Sequence, residues 1–96
     1  MPVKQTVKKC YLQGKSIGSP EEFYREIARG LPFPDYFGRN LDALWDVLSR
    51  ELEGPVELVW EDSAASQKSM GNDFEKISAL LREVEKERED FRVNFR

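Results

Sequence analysis

The chain of 96 residues has no histidine and a single cysteine, Cys10. Without histidine there is no Ser-His triad and no histidine-held metal, and one thiol forms neither an internal disulfide nor a cysteine-ligand cluster. Cys10, in an apolar predicted strand, therefore reads as a small buried hydrophobe. No apolar run is long enough to span a membrane, and the opening "MPVKQTVKK" carries positive charge without the apolar stretch of a signal peptide. The expected location is the cytoplasm. A phosphate-cradling loop is missing as well: "GKS" at residues 14–16 would need a glycine five positions before Gly14, where Lys9 stands. It reads as a turn.

What is present is ordinary in amount and uneven in distribution. A hydrophobic share of 40% and a charged share of 34% suit a globular chain with a well-charged surface. The length suits one domain over residues 1–96 with a single core. Order is expected throughout except at the N-terminus. The formal net charge is −3, but between Asp35 and Asp62 eight acids face only Arg39 and Arg50, leaving this segment at −6 and the rest at +3. An acidic middle argues against nucleic-acid binding, which needs clustered Lys and Arg, and favours a basic protein partner.

Periodicity supplies the elements. "VKKCYLQ" (7–13) predicts a strand with Cys10 and Leu12 on one face and Tyr11 on the other. Ser19, Pro20 and Glu22 form a helix-start signature, with Phe23, Ile27 and Leu31 behind it at steps of four. A first helix is predicted from about Pro20 to Arg29, with Gly30 as a left-handed terminal residue. "LPFPDYFG" predicts a rigid loop, with Pro32 and Pro34 excluding helix and Gly38 supplying an unusual backbone angle. Asn40 caps a second helix from about Leu41 to Leu52, and Gly54-Pro55 ends it. "PVELVW" predicts a strand with Val56, Leu58 and Trp60 on its apolar face. A short helix near Ala64–Ser69 comes next. Asn72 or Asp73 then caps a last helix burying Phe74, Ile77, Leu81 and Val84, widened by Leu80, with "REVEKERED" as its solvated end. Phe91, Val93 and Phe95 mark a closing strand. Strands alternating with helices predict an α/β fold with a small parallel sheet and right-handed crossovers.

The second helix holds the candidate chemistry. At about 100° per residue from Leu41, the residues Leu41, Leu44, Trp45, Leu48 and Leu52 share an apolar face. Asp42, Glu53 and Asp46 fall at roughly 100–140° on the same count, an acidic stripe along the Trp45 side. Each residue alone fits an ordinary amphipathic helix, with Asp42 favoured by the helix dipole and Trp45 in the core. A carboxylate pair could serve as general acid and base in a cleft, but these lie on an exposed flank, and catalysis is not expected.

The stretch "YFGRNLDALWD" (36–46) resembles the signature of the barstar family, small intracellular inhibitors of barnase-type bacterial ribonucleases. The likeness extends more weakly through "GPVELVW" to "LREV" in the last helix. It implies a three-stranded parallel sheet packed with three or four helices. It also implies an inhibitor and not an enzyme, without cofactor or metal, monomeric when free, binding an extracellular-type ribonuclease and neither nucleic acid nor membrane. Tyr36, Asn40, Asp42, Trp45 and Asp46 match the family's inhibitory loop and helix, and Glu83 matches a further acidic contact on the last helix. Asp46 would be the central anchor of a helix that plugs the basic cleft as a phosphate mimic. Departures from the best-known member are Arg50-Glu51 in place of Gly-Trp, Arg39 in place of an acid, and Phe37 in place of a second tyrosine. They leave open a module of the same fold with another partner, a different toxin or a regulatory protein.

Overall fold

A computed structural model describes residues 7–96; the disorder expected at the N-terminus concerns residues outside this range. Three parallel strands stand in the order β1-β2-β3: β1 (Lys8–Gln13), β2 (Val56–Glu61) and β3 (Phe91–Phe95). Four helices complete the α/β fold: α1 (Pro20–Gly30), α2 (Leu41–Asp46), α3 (Ser63–Met70) and α4 (Asn72–Glu87). A π-helical turn, Val47–Glu51, continues α2. The alternation in the sequence is thus reproduced, including the short helix near Ala64.

One face of the sheet carries the core. Cys10 and Leu12 of β1, Leu58 and Trp60 of β2, and Phe91 and Val93 of β3 are buried, against Phe23 and Ile27 of α1 and Ile77, Leu81 and Val84 of α4. Burial, reinforced by the charge of Glu26, pushes the Cys10 thiol up to about 11, as suits a small hydrophobe. Trp60 stacks on Phe23 at 5.1 Å, and its indole N–H donates to Ser66 Oγ at 3.1 Å. Ser66, fully buried, donates in turn to the Gly14 carbonyl at 2.9 Å, so no polar atom of this layer is left unpaired. On the opposite face Lys9, Glu57 and Arg92 share one register row and Tyr11, Val59 and Asn94 the next. Val59 is buried on this face as well, because the central strand is flanked on both sides. The outer edge of β3 is covered by α4: Val93 N–H donates to Glu85 at 3.0 Å, and Arg82 reaches the Val93 carbonyl at 3.4 Å. These two side chains occupy an edge that could otherwise pair with another chain.

Helix ends depart from expectation in instructive ways. Ser19 does accept from Glu22 N–H at 3.2 Å, but the Glu22 carboxylate takes the Gly18 N–H at 2.9 Å, one residue earlier than a capping box requires. Gly30 is the last helical residue and not a left-handed cap; a Cβ there would lie 2.4 Å from Cys10 Sγ, so close packing on β1 demands the glycine. In the following loop the left-handed residue is Arg39, with φ of 52°, and not Gly38. Neither Asn72 nor Asp73 caps α4. Gly71, with φ of 57°, turns the chain directly from α3 into it.

The largest difference is in the second helix. It is α-helical only to Asp46; beyond it Leu52 N–H bonds the Val47 carbonyl at 2.8 Å, five residues back. The wider turn buries Val47 together with Leu48 and leaves Glu53 beyond the helix, so the stripe counted through Glu53 does not form. Arg88 stabilises this turn. Its Nη1 donates to the Leu48 carbonyl at 2.6 Å and the Leu52 carbonyl at 2.8 Å, while Nε and Nη2 grip Asp90 at 2.8 and 2.9 Å. The "REVEKERED" run is therefore not solvated throughout, since the Arg88 side chain is only 13% exposed. Gly54 leaves room for the pair, because a Cβ there would stand 2.1 Å from the Asp90 carboxylate.

Hydrogen bonding to Arg88 holds the Asp90 carboxyl below the usual carboxylate range, partly opposed by desolvation. Its contribution to stability is present above that range and is lost as pH falls through the lowered value. Arg88→Met is expected to destabilise the protein by roughly 2–3 kcal/mol, because two carbonyls and a carboxylate lose a charged donor. Arg88→Lys should recover only part, since an ammonium cannot span the same fork. Urea midpoints check this, and a wild-type midpoint for Arg88→Met would refute the clamp.

Candidate functional site

Loop 31–40 and α2 form one surface. Phe33 and Phe37 pack edge to face at 4.9 Å, and Phe37 also meets Tyr24 of α1 at 5.9 Å, which anchors the loop from beneath. Asn40 Oδ1 accepts from Ala43 N–H at 2.8 Å and starts α2 in the predicted place. Leu44 is fully buried, and Leu41 and Trp45 pack partly buried against the core. Anchored below and capped at its start, the segment holds Asp42 and Asp46 outward, both exposed.

Tyr36 stands at the loop tip with 77% of its surface exposed, more than any other large hydrophobic side chain described. Its hydroxyl donates to Glu51 Oε1 at 2.6 Å, joining the loop to the end of the π turn. Between them lies a shallow hollow of about 140 Å³ lined by Tyr36, Phe37, Gly38, Ala43, Asp46, Val47 and Glu51. Among the described residues, the ion pairs include neither Asp42, Asp46 nor Glu51, and neither Arg39 nor Arg50. The face thus presents carboxylates that form no ion pair among the described residues.

Of the residues marked in the sequence, Tyr36 and Asp46 share the hollow, with Asp42 one helical turn before Asp46. Asn40 is occupied as the cap, and Trp45 supports the helix from the core side. Glu83 is exposed on α4 and paired with Lys86 at 3.6 Å. Asp73 and Lys76 of α4 share a small cleft with Leu41, and Glu83, seven residues past Lys76, falls on that same flank toward α2. Glu51 was legible only as a departure from the family pattern. The π turn that brings it to Tyr36 has no signal in the periodicity.

A larger hollow lies elsewhere, about 410 Å³ between α3, α4 and β3. Its polar groups are already engaged: Gln67 bonds Glu75 at 3.2 Å, and Arg82 sits 4.8 Å over the Phe95 ring. No group of acids and thiols suited to holding a metal occurs among the described residues, and no described helix is long and apolar enough to cross a membrane.

Three parallel strands packed with helices, with Asp42 and Asp46 exposed on α2 beside an exposed tyrosine, define a small α/β protein with a charged surface at that segment. The chain belongs to the barstar family, described as barstar (barnase inhibitor), whose model matches residues 7–96. It is also 31% identical over 84 residues to a Bacillus subtilis (strain 168) protein named "Putative ribonuclease inhibitor YrdF", covering 88% of this chain and 92% of that protein.

The Glu51 carboxylate, through its hydrogen bond first and its charge second, raises the Tyr36 phenol above the ordinary tyrosine range. What the bond contributes to stability is therefore present below that range and lost as pH rises through the raised value. Glu51→Ala, which removes both the acceptor and the charge, should return Tyr36 ionisation toward its ordinary value. Carbon-labelled tyrosine, with the signal assigned by Tyr36→Phe, measures this by NMR titration; an unchanged titration would mean that the bond does not persist in solution.

Proposed function

We propose that this protein binds a basic ribonuclease of the barnase type and blocks its cleft with α2 and the preceding loop. The observation that carries the reading is the pair of exposed carboxylates, Asp42 and Asp46, outside every ion pair among the described residues and set beside the exposed Tyr36. A cleft that binds RNA offers arginine and lysine to phosphates, and carboxylates can occupy those positions. In this reading Asp46 is the anchor, Asp42 a second charge, and Tyr36 an aromatic against the cleft wall. Glu83 adds a further acidic contact from α4. Asn40 and Trp45 support the helix through its cap and its core side. The protein acts by binding and not by catalysis, protecting from within the cytoplasm the cell that makes the nuclease. Family membership and the name of the Bacillus subtilis relative support this reading.

A second reading, a module of the same fold with another partner, draws on Arg39 and Arg50. Both are exposed cations beside the acidic residues and would oppose a basic cleft.

Titration into a barnase-type ribonuclease assay at low salt separates the two. Stoichiometric inhibition is expected. Asp46→Ala should weaken it by about tenfold or more, equivalent to 1.4 kcal/mol, while folding stability stays within about 0.5 kcal/mol. Absence of inhibition by folded protein would favour the second reading, and an equal loss of folding would refute the anchor. Stopped-flow measurement should find association slowed by salt more than dissociation is accelerated, since charge steering is screened. A salt-independent association rate would contradict the electrostatic account.

A further inference from the structure

We propose that Glu51 is a positioning residue for Tyr36, and that the partner group facing the Tyr36 oxygen is a cationic N–H donor, an arginine or a lysine. This rests on the inhibitor reading and extends it from the face as a whole to the chemistry recognised at one atom. A phenol has one donor and two acceptor sites. The Tyr36 hydroxyl spends its donor on Glu51 at 2.6 Å, so its oxygen can only accept from a partner. An unattached hydroxyl would turn to suit a carbonyl or a phosphate; this one would first have to give up its bond to Glu51. The charges of Glu51 and Asp46, lining the same hollow, further disfavour anionic acceptors there.

The bond also fixes a side chain that solvent would otherwise leave free. Tyr36 is 77% exposed, and its tie to Glu51 spans fifteen positions, from the loop tip to the end of the π turn. Glu51 occupies that place because the Leu52 amide bonds Val47, five residues back, and Arg88 takes the carbonyls of Leu48 and Leu52. Ordering a side chain before binding avoids an entropic loss worth about two- to tenfold in affinity.

The test uses Tyr36→Phe, Glu51→Ala, Glu51→Gln and the double variant Tyr36→Phe/Glu51→Ala, with a barnase-type ribonuclease as the probe. Three-bond NMR couplings report the Tyr36 rotamer in the free proteins. Tyr36→Phe and Glu51→Ala are each expected to weaken inhibition by about tenfold, and the double variant by little more than either alone, the non-additivity of a coupled pair. Glu51→Gln still accepts from the phenol, so it should keep a single rotamer and stay within a few-fold of wild type, whereas Glu51→Ala should average its rotamers. Additive losses, or equal losses for Glu51→Gln and Glu51→Ala with the rotamer unchanged, would overturn the proposal while leaving the inhibitor reading intact. If the wild type does not inhibit, the ribonuclease reading fails and the rotamers decide the positioning: averaging confined to Glu51→Ala supports it, and no change removes it.

Discussion

The guanidinium of Arg88 is the point on which the arrangement of this face depends. A π turn frees a carbonyl that an α-helix would have paired, and a freed carbonyl in a half-buried place needs a donor. Arg88 supplies it at Leu48, takes the Leu52 carbonyl as well, and is itself held by Asp90. The Asp90 carbonyl accepts from Val56 N–H at 2.8 Å, so the clamp joins the end of the helix to the start of β2 and the approach to β3. One side chain thus ties the end of the π turn to the segment between α4 and β3.

The acidic face combines repulsion with rigidity. Asp42 and Asp46, outside every ion pair among the described residues, repel one another, which disfavours the folded chain slightly and leaves their charge open to a cation. The remainder of the segment compensates by being well anchored. Phe33 and Phe37 hold the loop, Asn40 caps the helix, and Leu44 and Trp45 seat it on the core. A face of this kind loses little freedom on docking, and its charges act from a fixed geometry. The Tyr36–Glu51 bond extends the same ordering to the most exposed aromatic.

Much of the fold was legible because burial leaves a period in the sequence. Alternation in "VKKCYLQ" and "FRVNFR" marked strands, steps of three and four marked α1, α2 and α4, and Ser19 and Asn40 marked their starts. The candidate site was legible in part for a different reason: "YFGRNLDALWD" keeps its residue types in an uninterrupted run. Less legible were features set by packing between distant segments. Gly30 is required by the close approach of Cys10 on β1 and not by its own backbone angle, and the positive φ of the following loop falls at Arg39 and not at Gly38.

By itself the sequence determined the order of strands and helices, the apolar faces, the N-terminal caps of α1 and α2 and the acidic character of the middle segment, since each follows from residues within a turn or two of one another. Tertiary structure decided the π turn, the burial of Arg88 and the meeting of Tyr36 with Glu51. These depend on carbonyls and side chains brought together across 15 to 40 residues. Local periodicity carries no record of which freed carbonyl a distant guanidinium will find, and only the packed chain settles that geometry.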